Sequence, residues 1–252
     1  MDASTPPPPL QPVNEDWQRA LAVVAHPDDL EFGAAAAIAR WTDAGKQVAY
    51  CLLTSGEAGI DAMPPDESRR VREAEQRESA RLVGVDAVEF LGLPDGVLEY
   101  GVGLRRAITA ALRRHRPEIV ITNNFRDTWD GASALNMSDH ISTGRAVLDA
   151  ARDAGNRWVF HEQLSGDGLE PWGGVHEVWA AASPLSRHAV DVTATFERGV
   201  QSLQAHDAYI KGLGWHFDPA EFLEGLTRQA GSRLGTTHAT SFEVFKLGFG
   251  GD

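Results

Sequence analysis

Residues Arg19–Gly59 carry the strongest signal for the fold: RALAVVAHPDDLEFGAAAAIARWTDAGKQVAYCLLTSGEAG. The segment RALAVV is an apolar run of strand length, and GAAAAIARWTDA is typical of a helix that ends before Gly45. QVAYCLLT is a second strand, followed by a loop that contains glycine. A strand, a helix and a strand in this order predict a β-α-β unit with parallel strands.

The same alternation continues along the chain. ESRRVREAEQRESARLVG predicts a charged helix with a thin apolar stripe formed by Ala74, Leu82 and Val83, and AVEFLGLPDG predicts a strand and a turn. LRRAITAALRRHRP predicts a helix that Pro117 ends, and EIVITNN a buried strand. Strands alternating with helices predict an α/β fold with a parallel sheet that is covered on both faces.

Composition argues against several classes of partner. The formal net charge is −13, from 23 basic and 36 acidic residues. Nucleic acids and anionic membranes are bound through basic patches, which this sequence lacks. Cys51 is the single cysteine, which excludes an intrachain disulfide and a cysteine-rich metal site. We therefore expect no nucleic-acid partner and no stable membrane insertion, and the sequence leaves the oligomeric state open.

The N-terminal segment differs from the rest of the chain. Residues 1–16 include four consecutive prolines, Pro6–Pro9, which predict an extended, disordered, proline-rich arm. The segment has neither the basic start nor the apolar run of a secretion signal, so we predict a cytoplasmic location. Residues 17–252 are few enough to share one hydrophobic core, and we predict a single domain.

Polar residues follow the predicted strands at the points where ligands are expected. Sheets of this class bind ligands beyond the carboxyl ends of their strands. The corresponding segments are AHPDD, TSGEAG, LPDG and TNNFRDTWDG. The first of them breaks an apolar run with one imidazole and two adjacent carboxylates, so it needs a chemical explanation.

A metal site is one explanation for His26, Asp28 and Asp29. A catalytic zinc ion takes three protein ligands of imidazole or carboxylate type and keeps one position for water. His140, in SDHISTGRAVLDAA, would complete the set, and one of the two aspartates would then bind the metal while the other acts as general base. The alternative is an aspartate that caps the following helix and a histidine with a structural role.

Asp139 allows two interpretations of its own. A carboxylate next to a ligand commonly orients an imidazole by accepting its second N–H. An aspartate before the helix ISTGRAVLDAA is equally typical of an N-cap.

Five motifs together resemble one family. AHPDDLEFG, TSGEAG, RVREAEQRESARLVGV, FLGLPDG and SDHISTGRAVLDA occur in order between residues 21 and 157, and together they resemble the LmbE-like, or PIG-L, family of zinc-dependent N-acetylglucosamine deacetylases. The resemblance implies a Rossmann-like three-layer sandwich with a mostly parallel sheet, as a single deacetylase domain. It also implies hydrolysis of the acetyl group of a small amino-sugar conjugate, with zinc-bound water as the nucleophile.

The resemblance assigns roles by position. It implies one zinc ion per chain, or another divalent metal, held by three ligands: His26, Asp29 and His140. Asp28 matches the general base, and Arg72 and Asp95 match positions that contact the substrate sugar.

One position departs from the family pattern. Many members carry a histidine where this chain has Met137, and a thioether has no proton to give. Three explanations are open: Asp28 returns the proton that it took, His206 or His238 enters the site, or turnover is lost. We favour the first, because a protonated Asp28 would already lie beside the leaving amine.

Other functions remain to be distinguished. An amidase that cleaves a thiol conjugate of an amino sugar would use the same zinc chemistry. A sugar- or metal-binding module with decayed catalysis would bind metal and release no acetate. A nucleotide-binding oxidoreductase is a weaker alternative, because no Gly-x-Gly-x-x-Gly follows the first strand.

Overall fold

The computed structural model describes residues 7–248, in which strands alternate with helices. The strands are β1 Gln11–Pro12, β2 Arg19–Val24, β3 Gln47–Leu52, β4 Ala87–Phe90, β5 Ile119–Asn123, β6 Glu177–Ala181, β7 His188–Asp191 and β8 Ala239–Lys246. The helices are α1 Ala35–Asp43, α2 Pro65–Leu82, α3 Val102–His115, α4 Ser138–Asp153, α5 Glu162–Ser165, α6 Phe196–Gln204, α7 Asp207–Gly212 and α8 Pro219–Leu234. No helix in this part of the chain has both the length and the hydrophobicity needed to cross a membrane.

One sheet of eight strands connects these elements, in the order β1-β7-β8-β6-β5-β2-β3-β4. Strand β2 pairs in parallel with β3 and β5, and β8 runs antiparallel to β6 and β7. The predicted α/β three-layer fold with a mostly parallel sheet is confirmed.

The two faces of the sheet are covered by different helices. On β2, Leu21 and Val23 pack toward α3 and α4, whereas Ala22 and Val24 pack toward α1. Both faces are buried because each carries a helical layer, which explains the nearly continuous apolar run in this strand. Cys51 lies in the same core, where burial raises the pKa of its thiol.

The order of the strands places a crevice beyond the carboxyl end of β2. The chain runs from β2 outward to β3 and β4, then returns to the other side of β2 as β5. Ligands of doubly wound sheets bind at such a change of direction, because the flanking loops diverge there. The four segments singled out in the sequence follow β2, β3, β4 and β5, at this edge.

The predicted disordered arm is wrong for residues 10–13. Gln11–Pro12 pairs with β7 at the edge of the sheet, and the Leu10 side chain is buried. An edge strand tolerates proline because one side of its backbone makes no ladder hydrogen bonds, so the extended backbone that prolines favour is compatible with pairing. Residues 1–6 lie outside the described part, and the single domain over residues 17–252 stays a prediction.

Helix α2 also differs from its predicted packing. Ala74 is exposed, so the predicted apolar stripe is wrong at that position. The side chains that α2 buries are mostly polar: Ser68, Arg72, Gln76, Ser79 and Ala80. Within this face, Arg72 and Gln76 contact Asp28 in the segment that follows β2.

Gly144 fixes how closely α4 approaches the end of β5. A Cβ atom at this position would lie 2.4 Å from the Cβ atom of Phe125. We expect Gly144→Ala to lower the free energy of unfolding by about 1–3 kcal/mol, as measured by urea denaturation, because neither backbone can move away without repacking. Gly225→Ala on α8 is the control: nothing lies within 4 Å, so a gain of about 0.5–1 kcal/mol is expected. Equal stability of the two variants would contradict this account.

Candidate metal centre

A cavity of about 620 Å³ opens at the carboxyl ends of the central strands. Its lining includes residues from all four of the segments that the sequence singled out: Asp28, Gly59, Asp95, Asn123 and Trp129 are examples. Helices α4, α7 and α8 contribute further side chains. The volume is typical of pockets that enclose small organic ligands.

The structure brings three sequence-predicted ligands together. His26 Nδ1 lies 3.2 Å from His140 Nε2, and Asp29 Oδ1 lies 2.9 Å from the same His140 nitrogen. Asp29 Oδ2 lies 3.7 Å from His26 Nδ1. All three residues are buried, and their ligand atoms are close enough to share one metal ion.

In each of the two imidazoles, one nitrogen donates a hydrogen bond to a neighbouring side chain. This bond determines that the lone pair lies on the other nitrogen. His140 Nδ1 lies 3.0 Å from Asn136 Oδ1, an acceptor, so this nitrogen donates its N–H. His26 Nε2 lies 3.0 Å from Asp95 Oδ1 and donates in the same way. Both remaining nitrogens then direct lone pairs at one point beside Asp29. Two lone pairs at 3.2 Å repel each other unless a cation lies between them, so this donor set fits a metal ion.

Asp139 contacts His26 and makes no hydrogen bond with the imidazole of its sequence neighbour, His140. Its Oδ2 atom lies 3.3 Å from His26 Nε2. The carboxylate also accepts the backbone N–H groups of Gly96 and Leu98. The N-cap of α4 is Met137 and makes no side-chain capping bond, so the capping interpretation of Asp139 is wrong.

Asp95 takes a position that the sequence did not anticipate. One oxygen accepts from His26 Nε2, and the other accepts the backbone N–H of Ala58 at 2.8 Å. The residue still lines the cavity, so its predicted contact with a sugar stays a prediction. Its observed contacts are those of a residue that orients a ligand imidazole.

The electrostatics of the centre follow from these contacts. Burial opposes charge on His26, but the neighbouring carboxylates of Asp139, Asp29 and Asp95 raise its pKa well above the usual value, so a metal ion that binds at Nδ1 would displace a proton from it. Burial likewise opposes charge on Asp29, yet the neighbouring His140 holds the pKa of this carboxyl far below its usual range. Asp29 is therefore a carboxylate, the form that binds metal.

Asp28 is separated from the ligand cluster and held by helix α2. Its Oδ2 atom accepts from Arg72 Nη2 at 2.8 Å, and its backbone N–H donates to Gln76 Oε1 at 2.9 Å. The backbone is in the left-handed region, with φ at 84°, which turns this side chain away from that of Asp29. Burial raises the pKa of Asp28 to about 6, although Arg72 opposes the shift.

Arg72 is a structural partner of Asp28 in this arrangement. Only 2% of its surface is exposed, and its guanidinium also donates to the carbonyl oxygens of Pro27 and Gly56. The guanidinium also lies over the ring of Tyr209, with Arg72 Cζ 4.3 Å from the ring centre. A Cβ atom on Gly56 would come within 2.3 Å of Arg72 Nη1, so glycine is needed at this turn. The predicted contact of Arg72 with the sugar stays a prediction.

Gln76 and Glu31 form a buried network behind Asp28 that sequence reasoning missed. Glu31 Oε1 accepts from Gln76 Nε2 at 3.0 Å and from Ser79 Oγ at 2.6 Å. These bonds fix which end of the Gln76 amide faces Asp28. A usable signal was the spacing of Arg72, Gln76 and Ser79, which places the three on one helix face.

The histidines of the second half do not enter the cavity. His206 is fully buried beside Glu31, and His238 stacks on Phe196. Among the described residues, the cavity is lined by His26, His140 and Met137 but by neither of these two histidines. Neither His206 nor His238 could donate a proton to a ligand in the cavity without a change in the packing around it.

About half of the chain matches the model of a known protein family. Residues 21–151, just over half of the chain, match the family model described as PIG-L: GlcNAc-PI de-N-acetylase. The matched region contains the six polar residues discussed above as ligands, base or possible sugar contacts: His26, Asp28, Asp29, Arg72, Asp95 and His140.

Relatives extend the likeness along the chain. The diacetylchitobiose deacetylase of Thermococcus kodakarensis is 27% identical over 210 residues, which cover 81% of this chain and 74% of that protein. A probable N-acetyl-α-D-glucosaminyl L-malate deacetylase 2 of Bacillus anthracis is 30% identical over 140 residues, covering 53% of this chain and 59% of that protein. Among solved structures, the N,N'-diacetylchitobiose deacetylase of Pyrococcus horikoshii has the same fold, with a TM-score of 0.81. It is 24% identical, with coverage of 92% of this chain and 85% of that one.

Proposed function

The chain belongs to the PIG-L family, and from this premise we propose that it is a zinc-dependent hydrolase that removes the acetyl group from an N-acetylated amino sugar. The observation that carries the proposal is the convergence of two imidazole nitrogens and one carboxylate beside the separately held carboxylate of Asp28. The acetamide would be cleaved at its C–N bond, which yields acetate and a free amine.

The metal in this proposal is bound by His26, Asp29 and His140. Zinc bound there would act as a Lewis acid and lower the pKa of a coordinated water. Asp95, Asp139 and Asn136 would keep the two imidazoles in the tautomers that offer lone pairs to the metal. The ligand types suit zinc, and other divalent metals accept the same set.

Asp28 is the general base in the proposal. Arg72 occupies Oδ2, which leaves Oδ1 to accept a proton from the attacking water. The protonated carboxyl then donates this proton to the nitrogen as the C–N bond breaks, so the same residue completes the cycle. Met137 cannot supply that proton, and neither His206 nor His238 lines the cavity.

Acetate release tests the function. The zinc-loaded protein, prepared without a histidine tag, is incubated with N-acetylglucosamine and with diacetylchitobiose, and acetate is quantified. Release that stops with a chelator and returns with zinc is expected. A protein that binds zinc and releases no acetate from these sugars or from their alkyl glycosides would instead fit the sugar- or metal-binding module. Activity confined to a thiol conjugate of an amino sugar would favour the amidase.

Gln76 provides a test of how Asp28 is positioned. Gln76→Ala removes the acceptor for the Asp28 backbone N–H, so the carboxylate loses its fixed direction. We expect kcat to fall about 10-fold to 100-fold, with KM and metal content unchanged, because small displacements of a reacting group cost about this much. Gln201→Ala, at an exposed position of α6, should change neither parameter. Loss of metal from the Gln76 variant would contradict the assigned role.

The nature of the substrate follows partly from charge. The formal net charge of −13 and the acidic lining of the cavity are unfavourable for nucleic acid, so the proposed substrate is a small molecule. The cytoplasmic location stays a prediction, and the oligomeric state stays open.

A further inference from the structure

The sides of the cavity are apolar, in contrast to its polar bottom. Phe222 and Leu226 lie one helical turn apart on α8, and both line the cavity together with Phe32. Trp129 and Met137 line it as well, from the segment between β5 and α4. Apolar surface predominates in the lining as a whole.

The side formed by α8 is fixed by packing and is still open to the cavity. The Phe222 ring contacts Phe32 and Phe217, with ring centres 5.5 Å apart in each pair. Phe32 and Phe217 in turn pack against the buried cluster around Leu223. Phe222 nevertheless keeps 42% of its surface exposed. An aromatic ring that is fixed by packing on one side and exposed on the other can bind an apolar ligand.

Trp129 and Met137 also line the cavity while remaining partly exposed, with 40% and 52% of their surfaces accessible to solvent. Aromatic rings alone also stack on sugars, but leucine and methionine side chains offer no match for a face of hydroxyl groups. The combined surface is therefore better suited to a hydrocarbon group than to a second sugar ring.

The charges around the cavity restrict the ligand further. Among the described lining residues, Arg72 alone carries a permanent positive charge. Arg72 is buried, its guanidinium donates to Pro27, Gly56 and Asp28, and the ion pair with Asp28 balances its charge. With zinc bound, the carboxylates of Asp28, Asp29 and Asp95 balance the charges of the metal and Arg72, so the lining has no net positive charge to attract an anionic aglycone.

We propose that the amino sugar accepted here carries an apolar, uncharged aglycone, an alkyl or aryl group that lies against Phe222, Leu226 and Phe32. The acetamide then reaches the ligand cluster at the polar bottom of the cavity. The inference rests on the proposed function for the identity of the reacting group, but the contact with the aglycone is a property of the cavity and can be measured without turnover.

Binding of glucosides that contain no amide provides this measurement. Hexyl β-glucoside, methyl β-glucoside and a glucoside whose aglycone carries two carboxylates are titrated into the zinc-loaded protein by calorimetry. The hexyl compound is expected to bind at least about 10-fold more tightly than the methyl compound, since each buried methylene favours binding. The dicarboxylate is expected to bind more weakly than the methyl glucoside. Equal affinities for hexyl and methyl glucosides, or tighter binding of the dicarboxylate, would overturn the inference.

Variants locate the contact. Phe222→Ser is expected to remove most of the preference for the hexyl group, and Phe222→Leu to retain it, because leucine restores an apolar surface. Trp158→Ala changes an exposed aromatic residue outside the cavity lining and should leave the preference intact. Thermal unfolding of each variant is measured to check that the fold is retained. A hexyl preference unaffected by Phe222→Ser would overturn the assignment of this wall.

Turnover separates the inference from the function on which it rests. If the hexyl preference is found and depends on Phe222, the inference stands, and hydrolysis of the corresponding N-acetylglucosamine glycosides should show the same order in kcat/KM. If acetate is released equally from free sugar and hexyl glycoside and binding shows no preference, the function stands and the inference fails. If no glycoside is hydrolysed, the proposed function fails, while calorimetry still decides whether the apolar contact exists.

Discussion

Asp28→Asn is expected to lower kcat/KM for acetate release by about 10²-fold to 10⁴-fold while the protein keeps its metal. Asparagine retains an oxygen for Arg72 and preserves the shape of the side chain, but it cannot accept a proton from water. Acetate release and metal content per chain are measured on the same preparation.

Asp86→Asn is the matched control, since Asp86 is exposed and outside the cavity lining, and its activity should equal that of the unmodified protein. Full activity of Asp28→Asn would show that another group takes the proton. Loss of metal from this variant would instead show that Asp28 is a ligand, and the roles of Asp28 and Asp29 would have to be exchanged.

His140→Ala is expected to bring the metal content from about one ion per chain to nearly none and acetate release to the uncatalysed level. His140 Nε2 lies between Asp29 and His26, so its removal leaves two ligands and an empty volume at the centre. Changing only a partner of a ligand typically costs about 10-fold to 100-fold in metal affinity, and loss of a ligand costs more than this.

His140→Gln and His161→Ala complete the experiment. Glutamine keeps the bulk of the side chain, so loss of metal with an unchanged unfolding transition would separate ligand removal from misfolding. His161 is exposed and lies outside the cavity lining, and its alanine variant should keep the metal. Metal that persists at full occupancy in both His140 variants would contradict the proposed centre.

Local patterns were sufficient for the fold class and for the position of the site. The alternation of strand and helix is encoded by neighbouring residues, because burial on both faces of β2 requires a continuous apolar run and helices require their own period. The carboxyl ends of parallel strands meet at one edge, so the order of residues along the chain was enough to assign His26, Asp28 and Asp29 to the crevice. His140 could be added by its ligand type and by resemblance to the family.

Long-range contacts decided the remaining features. Nothing within residues 10–13 indicates that they pair with β7, since the partner lies far along the chain. Asp95 and Asp139 are equally ambiguous in sequence, and only the tertiary structure shows that both contact His26 Nε2, Asp95 from the loop after β4 and Asp139 from the first turn of α4.

The polar face of α2 and the apolar side of the cavity both depend on partners that are distant in sequence. Ordinary helices bury apolar stripes, but α2 buries Arg72 and Gln76, because Asp28 and Glu31 supply hydrogen-bond partners across the interface. Phe222 belongs to a helix that packs beside the site from the far end of the chain. The sequence by itself thus determined the elements and the residues at the strand ends, through local periodicity and chemistry. Only the tertiary structure decided the partners of those residues, because the partners are separated in sequence and meet through packing.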